Sequence, residues 1–337
     1  MSKRFRTILQ YIFFLGLGIF LIWWSVKDLT AEDKSHIKDA LSTARYWIII
    51  PVFIALFAAH LVRAMRWRLL MQSLGYNPSI ANAFFAVMIG YMTNHAVPRL
   101  GEVVKCTLLA RYEKIPFDKL IGTIILERII DAITLLIVFG ITLIIQPDIY
   151  KQLTEAIFNA KPQPGHTGIS STLVLLIAAG IIIALIVVWM IRKKKNVRDL
   201  AKLIKSIGRR IWEGVGAIRH LKKRKQFIFL TILLWTLYLS GGYLGFMAFR
   251  ETQGYGIREA FSILSAGSIG MVVTPGGIGA YSYLVQETMV IYKLNTGTAT
   301  AFGLILWVAQ TAVILIGGLI SFVAMPWYNK RNTSETS

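Results

Sequence analysis

A single cysteine, Cys106, leaves this chain no intramolecular disulfide and no cysteine-based metal cluster. Nor does it contain a His/Cys/Asp set at metal-ligand spacing, a phosphate-binding glycine loop or a nucleophile elbow. Charged residues are few, 16% of 337, too sparse to coat a soluble domain. Acids are scarcer still, 17 against 37 Lys and Arg. The longest hydrophilic stretch, 192–226, is too short and too basic for a catalytic domain. These absences argue against an enzyme, against a resident metal or cofactor, and against a soluble fold.

What is present is hydrophobicity: 55% of the residues are apolar. Several apolar runs reach about 17–25 residues, enough to cross a hydrocarbon core of about 30 Å. The expectation is an all-α polytopic membrane protein. The net charge of +20 could suggest nucleic acid, but its placement does not. Fourteen Lys and Arg against two acids lie between Arg192 and Lys225, as in a cytoplasmic loop under the positive-inside rule. Within that loop Val197, Leu200, Ile204, Ile207, Ile211, Val215 and Ile218 recur at three- and four-residue steps. The pattern fits a basic amphipathic helix on the anionic inner leaflet, or a linker helix packed on its own protein.

Loop charges orient the chain. Full spans are expected at Thr7–Val26, Tyr46–Val62, Lys119–Ile145, Thr172–Ile191, Phe227–Phe249 and Thr298–Met325, with both termini cytoplasmic. The first is read as uncleaved. The near-neutral loops Lys27–Arg45 and Gln146–Ser170 go outside, while Arg63, Arg66 and Arg68 mark the cytoplasmic end of the second span. Trp67 beside them, with Trp47, Trp189 and Trp327, reads as an interfacial anchor. A single membrane domain results: a first half (7–191), the basic linker (192–226), a second half (227–325) and a tail (326–337).

Two further apolar stretches are broken. Ser79–Thr93 runs into Asn94-His95-Ala96-Val97-Pro98-Arg99-Leu100-Gly101-Glu102, too polar for a lipid-facing helix. Ala260–Val273 runs into Thr274-Pro275-Gly276-Gly277-Ile278-Gly279 and resumes at Ala280–Tyr292. Charge bookkeeping makes each a re-entrant hairpin, entering from opposite faces with tips near the midplane. Counting every run as a full crossing also satisfies the loop charges.

Arg99, Glu102 and Lys105 fall at three-residue steps and would share a helix face. Glu127 and Asp131 are one turn apart inside a span, repelling unless a cation (Arg99, Lys105 or Arg128) or a proton lies between them. The set either orders the bundle as buried ion pairs or forms a headgroup or ion site. The second break is a tight turn or an anion site: Gly276, Gly277 and Gly279 allow close approach or positive φ, and the helix starting near Gly279 would aim free backbone N–H groups at the cavity. Asn94, His95 and Ser282 are secondary candidates. Glu287 ranks low, as interfacial.

In series, Pro98-Arg99-Leu100-Gly101-Glu102-Val103-Val104-Lys105, Glu127-Arg128-Ile129-Ile130-Asp131 and Thr274-Pro275-Gly276-Gly277-Ile278-Gly279 resemble the lysylphosphatidylglycerol synthase transmembrane-region family of flippase-like proteins. The resemblance covers about Ile8 to Met325. It implies a cytoplasmic-membrane protein that moves or modifies lipids, without the aminoacyl-transferase domain of the best-known members. Two positions depart: Lys105 stands where the family often has Arg, and Ser282 where it often has an acid. The reading that follows is a lipid transporter in which Arg99, Lys105 and Arg128 engage the phosphate of a phospholipid or polyprenyl-phosphate-type lipid. Glu102, Glu127 and Asp131 would balance them or bind an amine or proton. The alternatives are a non-catalytic partner presenting lipid to a lipid- or glycan-modifying enzyme, and a membrane-embedded transferase.

Overall fold

The structure, a computed structural model, describes residues 16–23, 26–27, 29–97, 99–147 and 221–334, the side chains of 332–334 excepted. The span expected at Thr172–Ile191, nearly all of the basic linker, the loop after residue 147, most of the first span, and Pro98 lie outside them. The chain divides into two units. Residues 1–142 with 219–337 form the one considered below. Of the other, 143–218, only the first five residues are described.

The described residues are helical, without strands. In order they form α1 (Ala31–Thr43), α2 (Ile49–Ser73), α3 (Ile80–Ala96), α4 (Leu100–Glu113), α5 (Phe117–Ile145), α6 (Arg224–Phe246), α7 (Ile257–Val273), α8 (Ala280–Ile291) and α9 (Thr296–Ser334). Four segments are long and apolar enough to cross a membrane: Tyr46–Ser73, Phe117–Ile145, Arg224–Phe246 and Thr296–Arg331. They correspond to four of the six expected spans.

Two boundaries differ from expectation. The 27–45 loop contains α1, started by a capping box in which Thr30 Oγ1 accepts from Asp33 N–H at 3.1 Å and Asp33 Oδ2 accepts from Thr30 N–H at 3.0 Å. The second span does not stop at Val62. It continues through Ser73 because Arg63 and Arg66 meet carboxylates inside the protein instead of leaving for water. Trp67 is accordingly no interfacial anchor: it is fully buried, and its Nε1–H donates to Thr123 Oγ1 at 2.8 Å. Trp47 and Trp327 are exposed, as belt residues are.

Two pairs of shorter helices, α3/α4 and α7/α8, have 17, 14, 17 and 12 residues. At 1.5 Å per residue they reach about 18–26 Å, short of the hydrocarbon thickness. Each pair packs against itself, and α9 packs on α3, α8 and α1. Phe246, Phe249 and Phe302 form an aromatic core between α6, its C-terminal turn and α9. At the far end, Asn329 on α9 exchanges amide hydrogen bonds with Asn82 on α3 (2.7 and 2.9 Å), and Asn82 also donates to Glu113 on α4 at 2.6 Å.

α5 is attached differently. Among the described residues it makes no extensive backbone packing of the kind that joins α3 to α4. Its ties are side chains: Thr123 to Trp67, Thr142 to Ser265 (2.9 Å), and the ion pairs described next.

Candidate functional site

The first break occupies residues 97–99. Val97 is extended and Arg99 takes a left-handed conformation at φ 65°, rare for a side chain this large. The turn is held from both sides. Asn94 Oδ1 accepts from Gly101 N–H at 2.8 Å and so caps α4. Gly90 and Gly101 pack backbone to backbone, so a Cβ on Gly101 would overlap the Gly90 carbonyl oxygen. Arg99 is exposed, and no ion pair or hydrogen bond from its side chain is found among the described residues.

The second break starts from extended Thr274, whose Oγ1 donates to Ile278 O at 2.9 Å. Gly276 has φ +60°, and its carbonyl accepts from Trp307 Nε1–H on α9 at 3.0 Å. A Cβ there would collide with the His95 ring.

The two breaks therefore touch. Asn94 and Arg99 from one, and Met271 to Gly276 from the other, line a single cavity of about 190 Å³. Gly277 and Gly279 do not line it: Gly277 packs on Met271 and Tyr281, and Gly279 on Gly18. Ser282 is buried, with its hydroxyl donated to Gly279 O at 3.2 Å.

Beside this lies a buried ion cluster. Glu127 is fully buried and accepts from Arg63 Nη1 (3.1 Å), Arg66 Nη2 (3.4 Å) and Lys105 Nζ (3.1 Å). Asp131 accepts from Arg63 Nη1 at 2.7 Å and Arg66 Nη2 at 2.5 Å. Lys105 Nζ also sits 4.4 Å from the Trp67 ring centroid, a cation–π contact. Arg128 turns instead to Glu102, Nε to Oε1 at 2.8 Å, and that pair is 40% and 33% exposed.

Several expectations change in consequence. Arg99 does not share a face with Glu102 and Lys105, because it precedes the helix; the other two both reach α5, at Arg128 and Glu127. The cations that reconcile Glu127 with Asp131 are chiefly Arg63 and Arg66, with Lys105 on Glu127 alone; neither Arg99 nor Arg128 does so. Sequence reasoning assigned Arg63 and Arg66 to the membrane boundary. A signal for the alternative existed: two arginines three apart in a helix whose apolar pattern continues to Met71 match two acids four apart in another span.

Tyr91 on α3 lies between His95, which abuts the second break, and the cluster. Its carbonyl lies 3.1 Å from His95 Nδ1, and the Arg63 guanidinium stands 5.5 Å over its ring. Arg63 Nη2 also donates to Tyr238 on α6 at 3.3 Å.

The family profile described as lysylphosphatidylglycerol synthase TM region matches residues 9–318. The chain belongs to that family. A relative within reach of this family member is the UPF0104 membrane protein MJ1595 of Methanocaldococcus jannaschii, 27% identical over 116 residues. That match spans 34% of each chain, so the chain aligns with about a third of the relative's length. No solved structure matches.

Proposed function

We propose that this membrane protein is a lipid flippase or transporter that takes a phosphate-bearing headgroup into the cavity between its two breaks. The observation that carries the reading is the meeting of Arg99 with Thr274–Gly276 around one cavity. Arg99 is the anchor, because Lys105 and Arg128 already face carboxylates. Asn94 and the Gly276 backbone supply neutral polar contacts. The tails stay in lipid, beside exposed apolar residues such as Val272 and Leu100. Membership of a lipid-linked membrane family supports the substrate class. In this reading the termini and the basic linker face the cytoplasm, in the inner membrane, and a lipid-modifying enzyme is a natural partner.

The left-handed Arg99 adds an observation in favour. Such a conformation costs about 1 kcal/mol or more for a non-glycine residue, and residues held in it cluster at functional sites. The test is headgroup translocation in proteoliposomes carrying a fluorescent phospholipid. Arg99→Ala is expected to slow it about tenfold or more, the equivalent of one lost charge-assisted hydrogen bond. Arg99→Gly should lose translocation equally while gaining about 1 kcal/mol in thermal stability, since glycine relieves the backbone. Wild-type rates in Arg99→Ala would remove the anchor from the proposal, and conversion of the lipid into a new species would point to an enzyme.

A further inference from the structure

The buried cluster does not balance. Arg63, Arg66 and Lys105 are three cations facing two carboxylates, Glu127 and Asp131. The neighbouring Arg128–Glu102 pair is neutral in itself and part-exposed, so it offers no compensation. One positive charge is left over among side chains with little or no solvent contact: Arg66 is 0% exposed, Lys105 3% and Arg63 6%. A surplus buried charge is costly unless something neutralises it.

Hydrogen bonding shows the same deficit in the same place. Arg66 Nε and Nη1, and Arg63 Nε, are buried and have no acceptor among the described residues. Buried guanidinium N–H groups are normally satisfied, and leaving one bare is costly. Both deficits have one remedy: an acceptor with a single negative charge beside Arg63 and Arg66. Loss of the Lys105 proton would cancel the charge but leave those three nitrogens without an acceptor. It would also remove the ammonium that Glu127 and the Trp67 ring hold.

We propose that the Arg63–Arg66 side of the cluster is an anion site, taking one monovalent anion, either a free halide or the singly charged phosphodiester of a lipid. The site is distinct from the Arg99 cavity and does not rest on the transport reading, since it is tested on stability alone.

The experiment uses full-length protein in non-ionic detergent, with chloride replaced by gluconate at constant ionic strength. Chloride should raise the unfolding midpoint saturably, by about 3 °C or more. Lys105→Met balances the cluster at two charges of each sign and should lose that shift, whereas Lys105→Arg should keep it. Should Lys105→Met not fold, wild-type crystals grown in bromide should give an anomalous peak beside Arg66. Adding phosphatidylglycerol, with diacylglycerol as the uncharged control, identifies the source. If only the phosphodiester lipid abolishes the chloride response, lipid phosphate takes the site; if the response persists, the occupant is the halide. The proposal is overturned if Lys105→Met retains the full chloride shift. It is equally overturned if the wild-type midpoint ignores the anion but varies with pH in a way that Lys105→Met abolishes.

Discussion

Glu127→Gln should be among the most damaging single substitutions in the described part of the protein. It should lower stability by about 3–5 kcal/mol, and with it the unfolding midpoint by about 6 °C or more. Glu127 accepts from all three buried cations, and the isosteric amide offers one neutral oxygen in place of two charged ones. Asp131 alone would then face Arg63, Arg66 and Lys105, doubling the surplus charge. The damage extends beyond the cluster, because among the described residues these side chains, with the Trp67–Thr123 hydrogen bond, tie α5 to α2 and α4. Combining Glu127→Gln with Lys105→Met removes one charge of each sign, and the pair should cost less than the sum of the singles. Thermal unfolding of the three variants in one detergent gives the comparison. Strict additivity would mean that Lys105 and Glu127 do not act together.

A comparable loss, about 3 kcal/mol, is expected from Gly101→Ala, which adds one methyl group. The added Cβ would overlap the Gly90 carbonyl oxygen and lie 2.7 Å from Asn94 Oδ1. Gly90 is backbone and cannot turn aside, so α3 and α4 must separate. Overpacking of this kind costs about 1–3 kcal/mol, and displacing Asn94 from the Gly101 N–H forfeits a helix cap of about 1 kcal/mol. Gly101→Ala should therefore unfold earlier and translocate lipid poorly, since the same hairpin carries Arg99. Gly122, where an added Cβ meets nothing within 4 Å among the described residues, is the control: Gly122→Ala on α5 should be neutral or slightly stabilising. Equal stability of the two variants would show that the hairpin is not closed as described.

Much of this architecture is legible in the sequence. Apolar length marked the spans, and Pro and Gly marked both interruptions: α3 and α4 flank residues 97–99, and α7 and α8 flank Thr274–Gly279, within a few residues of expectation. What could not be read was pairing across the fold. Arg63 and Arg66 look like any cytoplasmic boundary, because local charge counts do not say which helix lies opposite. Only the third dimension brings them to Glu127 and Asp131, 60 and more residues later. The helix Ala31–Thr43 was hidden for a different reason: its start depends on a reciprocal Thr30–Asp33 cap, a short signal in a segment judged by its charge alone. Among the glycines of the second break, sequence treats Gly276, Gly277 and Gly279 alike, whereas only Gly276 lines the cavity with Arg99.

The central claim is that the two breaks meet within the membrane and that lipid passes through their meeting point. His95 and Gly276 touch there: a Cβ on Gly276 would lie 2.9 Å from His95 Cγ, so a cysteine pair at the two positions tests their proximity. The decisive measurement is oxidative cross-linking of His95→Cys/Gly276→Cys in native membranes, on a Cys106→Ala background, followed by headgroup translocation before and after reduction. The account predicts that the cross-link forms, arrests translocation, and releases it when reduced. Absence of the cross-link, or full translocation with the cross-link intact, would contradict it.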